Sequence, residues 1–119
     1  MSLMRAEVLP YFEKAIYLPM LLIVLKSDLE SIEKGPFKLK GPYVKMLESA
    51  TKRVKSELKG TEMYLHSHNM KVIRNQMDDL FTEYIFAHDD CQDHRRYLNI
   101  RLRNHTEELL DSYLHRAIE

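Results

Sequence analysis

The sequence predicts a helix-dominated α+β fold: an antiparallel helical hairpin, a β-hairpin and a C-terminal helix. Three observations carry that prediction. Apolar residues recur at alternating spacings of three and four through two long stretches, as they do on helices that meet along a seam. A Gly-Pro-punctuated linker, "GPFKLKGP", separates those stretches. Beyond them, β-branched and aromatic residues crowd to either side of Asp78-Asp79, a turn signal between two strands. The chain has 119 residues, a length that suits one domain, 1–119, with a modest core. Its 45% hydrophobic and 30% charged content excludes wholesale disorder.

The first helix is expected over about 10–34. Pro10 suits its first turn, where a missing N–H costs nothing. Its seam is Tyr11, Ala15, Leu18, Leu22, Leu25, Leu29 and Ile32. Pro19 falls inside the pattern and is expected to kink or restart it. Between Met20 and Leu25 the segment is apolar all round, which calls for cover on more than one side. Residues 1–3 read as a cloning remnant ahead of a start at Met4.

The second helix is expected over about 42–66, opening at Pro42 and presenting Val44, Leu47, Thr51, Val54, Leu58, Thr61 and Leu65. Gly60 costs it about 1 kcal/mol relative to alanine and marks a place to end or bend. The β-hairpin, about 70–88, draws on Val72, Ile73, Phe81, Thr82, Tyr84, Ile85 and Phe86. An isolated hairpin is marginal in water, so it must lie against the helices. The last helix is expected over about 95–117, with Leu98, Leu102, Leu109 and Tyr113 in line. Asn99 is a candidate cap for a later start, and Asn104, Thr106, Glu107 and Glu108 spell a capping sequence.

Charge is balanced overall, 18 basic against 18 acidic residues, which argues against a generic polyanion binder. The balance is nonetheless segregated. Residues 34–60 hold eight lysines or arginines and two acids, 76–93 hold six acids and no lysine or arginine, and 95–103 hold four arginines and no acid. The single cysteine excludes an internal disulfide and fits a reducing, cytoplasmic setting. The apolar run Ala15–Leu25 has eleven residues, whereas a membrane span needs about 20, so no membrane partner is expected.

The densest chemistry lies in "HDDCQDH". His88, Cys91 and His94 are ligand-competent side chains at three-residue intervals, and a mixed N/S set suits zinc. The competing reading is a polar turn whose aspartates accept backbone N–H groups. It is favoured, because one cysteine cannot complete the usual structural zinc sets. Cys91 as a nucleophile lacks a positioned base and an oxyanion donor. The carboxylate pairs Asp78-Asp79 and Glu107-Glu108 suit a turn and a helix start. Three glycines leave no room for a phosphate loop. The expectation is therefore a protein that is not an enzyme and needs no cofactor.

Basic residues offer a second surface. Lys38 and Lys40 in the linker, with Arg95, Arg96, Arg101 and Arg103 around Tyr97, have the types that meet phosphates and stack on a base. The competing reading pairs those arginines with the acids of residues 78–93. Finally, the first helix is richer in apolar surface than one opposing helix requires; a third helix or self-association would cover the remainder equally well, and a homodimer is the favoured expectation.

The runs "GPFKLKGPYVKMLE", "FTEYIF" and "RRYLNIRLRN" make most of the chain similar to small uncharacterised proteins of Bacillus-type Gram-positive bacteria and their mobile elements. That resemblance implies an intracellular accessory protein and assigns no functional residue. The leading reading is a binding or regulatory protein acting through protein–protein contact, as a homodimer with a further protein partner. Nucleic-acid binding is the alternative, and metal binding the second alternative.

Overall fold

The computed structural model describes residues 7–118, so the remnant expected at 1–3 lies outside the described residues. The order of elements is α1 (Leu9–Lys34), α2 (Gly41–Ser67), β1 (Met70–Met77), β2 (Phe81–His88), β3 (Cys91–Leu98) and α3 (Asn99–Ile118). This is the expected helix-dominated α+β fold, with one more strand than the sequence suggested.

The helical hairpin forms along the seams read from the sequence. Leu18, Leu21 and Leu25 of α1 are buried against Leu47, Ala50 and Val54 of α2, and Tyr113 of α3 closes that cluster. Pro19 does not restart α1, which runs unbroken for 26 residues, about 39 Å. Gly60 does not end α2 either. At the tip of the hairpin α1 stops at Gly35, where a Cβ would stand 2.7 Å from the Ser31 carbonyl oxygen. Glycine is required there by close approach.

The sheet packs at the other end of the rods. Its order is β1-β2-β3, antiparallel throughout. Central β2 alternates cleanly: Thr82, Tyr84, Phe86 and His88 are buried. Of these, Tyr84 and Phe86 join Phe12, Ile16 and Tyr17 of α1, Leu65 of α2 and Leu102 of α3 in a second core cluster, together with Val8 ahead of α1. Stacked Tyr11 and Tyr64, 3.6 Å between ring centroids, pin the start of α1 to the end of α2. β1 carries an irregularity between Arg74 and Gln76, where two residues oppose one and Asn75 is the extra residue.

The expectation of a helix from residue 95 is corrected: 91–98 is a strand and the helix begins at Asn99. The physical reason is pairing. His88 and Cys91 are register partners across a two-residue turn, with Asp89 at φ 51°, a conformation aspartate tolerates. The turn hands the next eight residues to the open edge of β2, and that ladder overrides the helical preference of Arg and Leu. The capping sequence expected at residues 104–108 falls inside α3. There the Thr106 hydroxyl donates to the Leu102 carbonyl instead, at 2.7 Å.

Candidate interaction surface

Register and alternation decide where the sequence-predicted residues stand. His88 and Cys91 face the helices, and His88 Nε2 lies 3.5 Å from Asp93 Oδ2. His94 is on the opposite, outer face, its Nδ1 3.0 Å from Glu83 Oε1. The trio is thus divided between two faces of the sheet. Among the described residues no group of three or more His, Cys, Asp or Glu is arranged to hold a metal.

The outer face carries a small polar network. Asn75 Nδ2 donates to Glu83 Oε1 at 2.7 Å, beside the His94 contact. The hydrogen bonds from His94 and Asn75, in that order, hold the Glu83 carboxyl below its ordinary pKa. At the β1–β2 turn, Asp78 Oδ1 accepts the backbone N–H groups of Phe81 (2.7 Å) and Leu80 (2.9 Å), which lowers its pKa likewise.

The basic residues do not converge. Lys38 and Lys40 sit at the hairpin tip, where Lys40 Nζ donates to the Glu33 carbonyl. Phe12, against the sheet, is 23 residues before Gly35 along α1, about 34 Å for a straight helix. Arg95 lies on the inner face of β3, 5.6 Å from the Phe86 ring centroid. Arg96 is on the outer face, 4.2 Å over Phe81. Tyr97 is half-buried on the inner face, its hydroxyl donating to Glu13 Oε2 at 3.4 Å. Arg95 and Arg96 are thus on β3, whereas Arg101 and Arg103 are on α3. The competing reading, pairing with the acids of 78–93, is not realised as salt bridges among the described residues.

What the structure does assemble is two clefts, one on each side of α3. Glu13, Tyr17, Met20, Val24 and Asp28 form one stripe along α1, with spacings of four and three. α3 lies across that stripe: the His105 ring stands edge-on to Tyr17 at 4.4 Å, and Thr106 Oγ1 is 3.9 Å from Met20 Sδ. Arg101, Asn104, His105 and Glu108 share one face of α3; Arg103, Thr106, Glu107 and Leu110 share the opposite face. The second face, with Met20, Val24 and Met77, encloses an apolar groove of about 500 Å³ rimmed by Asp28, Glu107 and Arg103. Ile23 and Ile100, the chain neighbours of lining residues Val24 and Asn99, are exposed, as is Leu80, whose carbonyl accepts the Asn99 N–H.

Sequence reasoning missed this groove. Met77 was absorbed into a strand and Met20 and Val24 into a core. The available signal was α1 itself, whose apolar girdle exceeded what one partner helix could cover.

A family model described as YhjD protein matches residues 3–118. The chain belongs to the YhjD family. It is also similar to a Bacillus subtilis (strain 168) protein described as uncharacterized protein YhjD, 31% identical over 111 residues, which covers 93% of this chain and 92% of the relative. No solved structure matches. Family membership bears out the resemblance to Bacillus-type proteins and brings no activity to this YhjD-family chain. No helix among its described residues is long and apolar enough to cross a membrane.

Proposed function

We propose that the chain is a non-enzymatic binding protein of the cytoplasm that works through protein–protein contact, as a homodimer whose copies meet across the groove between α1 and α3. The observation that supports this reading is an apolar groove with exposed apolar residues among its lining and next to that lining in the chain. Met77, which lines it, is 65% exposed, and Ile23 (71%) and Ile100 (55%) are the chain neighbours of lining residues Val24 and Asn99. Contiguous apolar patches of this kind are rare on monomers that stay monomeric.

The rim favours a second copy as the occupant. A two-fold axis sets a patch against itself. Here that brings Arg103 of one copy towards Asp28 or Glu107 of the other, so opposite charges meet around an apolar centre. Zero net charge leaves no long-range repulsion between copies.

Sedimentation velocity across the micromolar range tests the reading. The expected result is a dimer that Ile23→Glu with Met77→Glu converts to monomer, both positions being exposed enough to leave the protomer folded. Arg103→Glu should weaken it, and Asp28→Arg with Glu107→Arg should restore it. A clean monomer at every concentration overturns the proposal.

A further inference from the structure

The polar cleft on the other side of α3 is a different kind of site. It is about 500 Å³ in volume, within the range of small-molecule sites, and is walled by α1, β3 and α3. Its floor is Tyr17, 7% exposed, and the half-buried Tyr97. Around that floor stand Glu13, Arg101, Asn104, His105 and Glu108.

Two of these groups have opposite charge, line one cleft and do not pair with each other. Arg101 makes no salt bridge or hydrogen bond among the described residues. Glu13 has the Tyr97 hydroxyl, at a long 3.4 Å. A guanidinium has five donors and a carboxylate about four acceptor positions, so both retain open bonding directions. Glu108 is different, being within 3.4 Å of His105 Nδ1. Both groups act on the same floor residue: burial raises the Tyr17 pKa first, Glu13 raises it further, and Arg101 opposes them.

We propose that this cleft binds a small zwitterion of the amino-acid type, with its carboxylate at Arg101, its ammonium at Glu13, and its side chain over the Tyr17 and Tyr97 rings. The charge pattern selects a zwitterion over simpler ions. An anion alone would meet Glu13 and Glu108, and a cation alone would meet Arg101. A molecule carrying both charges satisfies each without opposing either, and Asn104 adds a donor and an acceptor beside them.

The test is a titration of the ¹⁵N-labelled chain with millimolar free alanine, leucine, phenylalanine, glutamate and arginine, each beside its N-acetyl and carboxamide forms. At least one free amino acid should move the amide signals of Tyr17, Tyr97, Arg101 and Asn104 saturably. Its two capped forms should bind about tenfold or more weakly, as should Glu13→Gln and Arg101→Gln chains toward the free form. Lys52→Gln, on the exposed face of α2 and in neither cleft, should bind as the parent does. Both charge variants alter incompletely buried residues, and an unchanged spread of amide signals certifies their fold. The proposal is overturned if no free amino acid gives saturable shifts, if the N-acetyl form binds equally well (an anion site), or if both charge variants bind undiminished.

Discussion

Phe12 and Phe86 stack face to face, ring centroids 4.7 Å apart and planes within 3°, and neither has any solvent exposure. This contact joins the first helix to the central strand, and both rings belong to the core cluster that unites the sheet with all three helices. Phe86→Ala should therefore cost about 3–5 kcal/mol, by lost burial and the void left between α1 and β2. Urea unfolding measures it. A loss below about 1 kcal/mol would be a surface value and would contradict the placement.

Acid should destabilise the sheet through Asp78 and Glu83. Hydrogen bonds to their carboxylates lower both pKa values from 3.8 and 4.5 respectively. A folded pKa below the unfolded one gives stability that is present above the unfolded value and lost as pH falls through the folded one. The urea midpoint should thus fall as pH drops below about 4.5, and Asp78→Asn should flatten that decline. An equally steep decline in the variant would remove Asp78 from the account.

Base should act through the tyrosines. Tyr113 donates to Glu57 Oε2 at 2.5 Å; its burial, then that bond, push its pKa from 10.0 up to about 12. Tyr17, Tyr84 and Tyr97 are also raised, chiefly by burial. A folded pKa above the unfolded one gives stability that is full below 10.0 and lost as pH climbs through the folded value. Ultraviolet titration should show part of the tyrosinate signal delayed past 10.0 and released on unfolding. Tyr113→Phe should remove a share of the delayed signal.

Gly60→Ala should stabilise the protein by about 0.5–1 kcal/mol. Gly60 lies inside α2, exposed, and a Cβ there would meet no atom within 4 Å. A rise in urea midpoint at unchanged slope checks it, while a fall would show that the helix needs glycine there.

Much of the fold was legible because its signals are local. The seams through Leu18 and Leu25, and through Leu47 and Val54, announced both rods, and Asp78-Asp79 lie in the β1–β2 turn. β3 was not legible because its inward residues, Cys91, Asp93, Arg95 and Tyr97, are mostly polar and only partly covered. The usual apolar alternation is missing, and Arg95 packs on Phe86 while keeping a charged head. The clefts were less visible still. Each draws residues from α1, from the sheet and from α3, and only the crossing of α3 over Tyr17 and Met20 brings them together.

Strand β3 passes into α3 without an intervening residue, Leu98 being followed directly by Asn99. The Asn99 side chain accepts from the Thr82 hydroxyl at 2.6 Å and donates to the Asp78 carbonyl at 2.8 Å, keying the first helical residue to the sheet. Adding or removing one residue just after that key would swing everything beyond it by about 100° about the helix axis. Arg101 would leave the polar side and Arg103 the apolar side in the same stroke. The junction is thus an indexing pin: spacing there is as much a determinant of recognition as the side chains it aims.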